Sequence, residues 1–145
     1  MIIGIDPDVS KSGVAVAVKG KLESLSVMTF VELCNFLSIQ PPGTQVCIEN
    51  VEHDMAVYYR KGNNNRQMLT VAQNVGMVKA TMRHIVAVAE SFNLKVELVK
   101  PLGKTSELAR RAKADAGFFN QVTGWKGRTN PDMRDAGMIA LVCSK

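Results

Sequence analysis

The stretch MIIGIDPDVSKSGVAVAV constrains the fold more than any other. Runs of Ile and Val flank a polar turn containing Gly13, which predicts a two-stranded hairpin. The first strand ends on an acid, Asp6, held by the proline behind it. Ile3 and Ile5 are expected on one face of that strand, with Gly4 leaving room beside Asp6 on the other. Two readings of Asp6 stand on position alone: a turn former before proline, or a carboxylate carried to a strand tip for chemistry.

Further along, residues 22–30 alternate apolar and polar as a third antiparallel strand would. Residues 30–39 predict a short helix stopped by QPPG, and residues 44–50 and 94–99 predict two more strands. VEHDMAVYYRKGNNNRQ lacks periodicity and reads as a mobile loop. From about residue 66 to 91 apolar residues recur every three or four positions (Met68, Val71, Val75, Val78, Met82, Ile85), which predicts a long amphipathic helix. Gly76 inside it costs ~1 kcal/mol against alanine, so a close contact there is expected. TSELARRAKADAGFF reads as one helix capped by Thr105 or Ser106, and VTGWKGRT as a loop. NPDMRDAGMIALVC is the last helix, with Asn130 as cap and Pro131 at its first position. The expected fold class is α/β: a mixed five-stranded sheet, its first three strands antiparallel, flanked by helices. Residues 1–145 are expected to form one domain.

No apolar run approaches the ~18 residues of a membrane span, and the opening residues enter a strand pattern rather than a secretory signal. Cys34, Cys47 and Cys143 are odd in number and lack zinc-site spacing, so buried reduced thiols and a cytoplasmic location are expected. The formal charge is +5, from 18 Lys and Arg against 13 Asp and Glu. A basic surface suits a polyanionic partner.

Three further acids stand out. Glu49 ends the strand VCIE in step with Cys47, where glutamate is depleted unless paired. An edge position or a salt bridge is the alternative to a functional role. Asp132 and Asp135 lie three apart on the last helix, so they share a face. Acids also favour a helix's first turn, where both are expected. As a set, two strand-end acids and two on one helical face offer the oxygen ligands a hard divalent cation requires.

In order along the chain, GIDPDVSKSGVAV, CIENV, VAQNVGMVKATM and PDMRDAGMIAL resemble motifs of the RuvC family of Holliday-junction resolvases, within the RNase H-like nuclease superfamily. The likeness runs from residue 1 to about 143. It implies a crossover junction endodeoxyribonuclease in which Asp6, Glu49, Asp132 and Asp135 are the catalytic, metal-binding acids. It also implies Mg²⁺ or Mn²⁺, two per site, and a homodimer whose subunits nick strands of like polarity. Asp8 stands where the family has glycine and reads either as a turn acid or as an acid near the metals. No aromatic follows Glu49 at the family's position; Tyr58 and Tyr59 come later in the same loop.

With Arg60, Lys61 and Arg66, those tyrosines predict contacts to branched DNA through phosphates and stacking. Lys104, Lys126 and Arg128 are further candidates for DNA contact, and Arg110, Arg111 and Lys113 read as a solvated basic face. Trp125 and His84 read as structural, while His53 is open to proton transfer or phosphate binding. Two other functions compete with junction resolution. One is a YqgF-like nuclease acting on RNA, flaps or forks, although its DERLST-type segment is not found here. The other is a non-catalytic junction-binding protein.

Overall fold

The computed structural model describes residues 1–53 and 65–145. Strands β1 (Ile2–Asp6), β2 (Ser12–Val18) and β3 (Lys21–Met28) form an antiparallel meander. Lys19 and Gly20, both at positive φ, make the tight β2–β3 turn. Strands β4 (Gln45–Glu49) and β5 (Lys95–Val99) run parallel to β1, giving the order β3-β2-β1-β4-β5. The mixed sheet expected from sequence is present, and β1 lies at its centre.

Helices α1 (Phe30–Ser38) and α2 (Asn65–Ser91) cover one face. Ile3, Ile5, Val14, Val46 and Ile48 pack there with Leu33, Leu37, Met82 and Ile85. Thr29 ends the third strand early because it caps α1: the Glu32 N–H donates to Thr29 Oγ1, and the Thr29 N–H donates back to Glu32 Oε2.

The other face carries α6 (Pro131–Cys143), backed by α3 (Leu102–Thr105), α4 (Glu107–Ala114) and α5 (Ala116–Thr123). Its core against the sheet is built from small residues, Ala15, Ala17, Ala136 and Ala140. Trp125 packs behind it with Ala109, Ala112, Phe119 and Met138.

The segment expected as one helix, TSELARRAKADAGFF, is broken at Asp115. That residue is extended and accepts the Phe118 N–H at 3.0 Å, capping α5. A short acid that can bond the backbone ahead of it competes with helix continuation. Helix α5 then runs into the segment read as loop, to Thr123, and ends at Gly124 in the left-handed region. Ser106, rather than Thr105, caps α4.

Helix α2 has 27 residues and is ~40 Å long, whereas a five-residue strand spans ~17 Å. Glu52, just past β4, bonds the Arg83 Nε at 2.5 Å, so Arg83 is level with that end of the sheet. Met82, Ile85 and Ala89 are buried, and the helix N-terminal to Thr81 projects beyond the sheet with Leu69 and Met77 exposed. Gly76 lies on this projecting part with nothing within 4 Å of a Cβ added there, so the close contact expected from sequence is not present among the described residues.

Candidate active site

Two glycines seat α6 on the sheet. A Cβ added to Gly4 would come within 2.6 Å of the Ala140 nitrogen and closer still to the Ala136 carbonyl oxygen. One added to Gly13, the β2 partner of Asp6, would overlap the Asp132 carbonyl. The helix backbone therefore rests directly on the β1 and β2 backbones. Its N-terminal end reaches the strand tip where Asp6 stands. Asn130 Oδ1 caps this helix by accepting the Met133 N–H at 2.8 Å, with Pro131 at the first position.

Strands β1 and β4 run parallel, so Asp6 and Glu49 finish at the same edge of the sheet. Asp6 is only 9% exposed. Burial, then the charges of Glu49 and Asp135, push its carboxyl up to about 8; Asp132 adds to the shift and Lys113 opposes it. Glu49, Asp132 and Asp135 thus each lie near enough to act on the Asp6 charge. Asp135 is also buried, and its carboxyl is raised by burial and by Asp132 against the pull of Lys113. Asp132 alone is in the first turn of α6; Asp135 lies in the second, a turn deeper than expected from sequence.

Lys113, read from sequence as part of a solvated face, bonds Asp135 Oδ2 through its ammonium. Burial works against that charge, but Asp135, Asp6 and Glu49 outweigh it and raise the lysine. Arg134 fixes this arrangement. It is buried, and its Nε and Nη2 donate to the Lys113 carbonyl at 2.8 and 2.5 Å. Its Nη1 donates to the Thr129 carbonyl and hydroxyl at 3.2 and 3.1 Å. One guanidinium thus ties the end of α4 to the loop before α6. The sequence signal for both residues was faint: Ala109 and Ala112 mark the buried side of α4, and Lys113 flanks it.

The donor set fits a hard divalent cation. Three carboxylates, Glu49, Asp132 and Asp135, act on a buried fourth, Asp6, that resists ionisation, and the Lys113 ammonium is drawn to the group. Asp8 has a different role. Its Oδ1 accepts the Ser10 and Lys11 N–H groups at 2.8 and 3.3 Å, so it shapes the β1–β2 turn.

Lys104 follows the end of β5 that lies beside Glu49, while Lys126 and Arg128 are exposed on the loop entering α6. Arg66 is exposed ~25 Å along α2 from Arg83, well away from the acids. Tyr58, Tyr59, Arg60 and Lys61, and the loop expected around them, lie outside the described residues. Arg111 sits over the Phe118 ring at 4.1 Å, and Arg110 faces Glu107. His84 is exposed, with its ring edge-on to Phe30. His53 is also exposed. Of the cysteines only Cys47 is buried; Cys34 and Cys143 are half-buried. Among the described residues, no helix is long and apolar enough to cross a membrane.

A central first strand, the antiparallel β2–β3 hairpin on one side and two parallel strands on the other give the sheet of an RNase H-like fold. No protein-family model matches the sequence, nor does any curated protein. Among solved structures, Thermus thermophilus RuvC in complex with a Holliday junction substrate aligns with TM-score 0.59 at 20% identity, over 97% of this chain and 90% of that one. A second T. thermophilus RuvC structure gives 0.54 at 19%, with the same coverage. The yeast mitochondrial Holliday junction resolvase Ydc2 gives 0.46 at 14%, over 99% of this chain and 77% of that one, a likeness too loose to carry weight. The fold of this chain is that of T. thermophilus RuvC.

Proposed function

We propose that this chain is a divalent-metal-dependent endonuclease that resolves four-way DNA junctions, working as a homodimer whose subunits each nick one of two strands of like polarity. The convergence of Glu49, Asp132 and Asp135 on buried Asp6 carries this reading. The likeness in fold to a RuvC structure holding a Holliday junction substrate supports it.

Asp6, Glu49, Asp132 and Asp135 would hold two Mg²⁺ or Mn²⁺ ions. Such ions, when bound, activate water and stabilise the leaving oxygen in phosphodiester cleavage. Asp6, on the central strand, is the most rigidly placed of the four. Arg134 and the two glycines keep the aspartates of α6 over it. Lys113 balances the acids and, being half-exposed, offers its ammonium to a phosphate.

Lys104, Lys126 and Arg128 hold the backbone near the cut. Tyr58, Tyr59, Arg60, Lys61 and Arg66 add DNA contacts through phosphates and stacking. The exposed Leu69 and Met77 on the projecting half of α2 provide apolar surface for a second copy. Residues 1–145 act as one nuclease domain, in the cytoplasm.

The test is incubation with magnesium and a synthetic four-way junction, beside duplex, flap, fork and RNA controls. Paired nicks at symmetric positions in the junction are expected, with sedimentation showing two copies per junction. Preferred cleavage of flaps or RNA by a monomer would replace this reading with a single-nick branch nuclease. Junction binding without cleavage would make the chain a binding protein.

A further inference from the structure

Cys47, Cys143 and Glu97 come together at the opposite end of α6 from the aspartates, and the reading above does not use them. One ligand atom from each lies within 4.8 Å of the other two. The residues come from three elements. Cys47 and Glu97 are direct partners across the β4–β5 ladder, and Cys143 is the last residue of α6. Cys47 Sγ stands 4.0 Å from Glu97 Oε2. A tetrahedral zinc site places sulfur and oxygen ligands roughly 3.5 Å apart, and two sulfurs about 3.8 Å apart. From separations of at most 4.8 Å the group needs to contract by no more than about 1.3 Å to reach that geometry.

Gln45 supplies a second, independent feature. It lies two residues before Cys47, on the same side of β4, and its Nε2 donates to Glu97 Oε2 at 2.8 Å and to Cys47 Sγ at 3.6 Å. One amide therefore orients two of the three ligand groups, as residues behind metal ligands do. Glu97 is exposed, so an ion can enter from solvent and keep a water as its fourth ligand.

We propose that Cys47, Cys143 and Glu97 form a second cation site, selective for thiophilic divalent ions of the zinc type and distinct from the cluster at Asp6. Two thiolates with one carboxylate favour Zn²⁺ or Co²⁺ over Mg²⁺, which takes oxygen ligands. The bound ion ties the last turn of α6, the helix bearing Asp132 and Asp135, to β4 and β5.

Cobalt titration of the full chain under a phosphine reductant tests this. The expected result is sulfur-to-cobalt charge-transfer absorption that saturates at one equivalent. Zinc displaces it and magnesium does not. Cys143→Ser abolishes it, whereas Cys34→Ser and Asp6→Asn keep it, which separates this site from the proposed nuclease centre. Glu97→Gln, at an exposed position that does not threaten folding, and Gln45→Ala each weaken cobalt binding about 10-fold or more. No charge-transfer band in the wild type, a band that survives Cys143→Ser, or undiminished affinity in Glu97→Gln would overturn the proposal.

Discussion

Lys113, near the end of α4, bonds Asp135 in the second turn of α6, so a basic side chain closes the acidic cluster from the side opposite the sheet. Replacing Lys113 by Met leaves the acids without this counter-charge. In metal-free buffer the Tm of Lys113→Met should fall, and by more at pH 8 than at roughly pH 5, because more of the cluster is then ionised. Magnesium should recover most of the loss. An unchanged Tm in chelator would show that the ammonium does not balance the site.

The pH dependence of the metal-free protein follows from Asp6. Its carboxyl is raised on folding from 3.8 to about 8, so the folded state holds a proton that the unfolded chain releases. That contribution to stability is complete below the unfolded value and is lost as pH climbs through the folded one. Denaturant melts should therefore show stability declining between about pH 4 and pH 8, with Asp6→Asn or added magnesium flattening the decline. A rise across that window in the metal-free wild type, absent in Asp6→Asn, would contradict the shift.

Gly13→Ala tests the seat of α6. The added methyl group meets the Asp132 backbone, so the helix must lift or β2 must move. Overpacking of this kind costs about 1–3 kcal/mol, and cleavage should fall with it because Asp132 is displaced. Chemical denaturation and cleavage assays on the same sample check both.

Much of this arrangement was legible in the sequence. Ile3 and Ile5 alternate with Gly4, which marks β1 as having one face in the core and one open to a helix. Asn130 and Pro131 fix the start of α6, so the positions of Asp132 and Asp135 on one helix face could be read directly. What stayed hidden depends on contacts between elements. Lys113 and Arg134 look like ordinary surface charges until α4 is laid against α6. The break at Asp115 replaces a continuous helical pattern by a cap whose bond to Phe118 is local but competes with strong helix formers. Cys47 and Cys143 are 96 residues apart and meet only because α6 runs back along the sheet. Gly76 marks a helix segment standing clear of the sheet, which periodicity alone cannot distinguish from a packed one.

Lys126 and Arg128 precede the cap of α6 and are exposed at the acidic end. If both contact phosphates, the double alanine variant should bind junction DNA more weakly at every sequence tested. The slope of log K against log salt should drop by about 1 per residue. Fluorescence anisotropy over a salt series measures it, and an unchanged slope would place these residues off the DNA.

The most direct measurement compares wild type with Asp6→Asn, Glu49→Gln, Asp132→Asn and Asp135→Asn on one labelled four-way junction, reading cleavage and binding from the same samples. Under the proposed function, hydrolysis needs ions held by the acids, whereas affinity comes mainly from basic contacts. The account predicts that each variant loses cleavage to background in magnesium while its affinity for the junction stays within a few-fold of wild type. Full cleavage by Asp6→Asn in magnesium would contradict it.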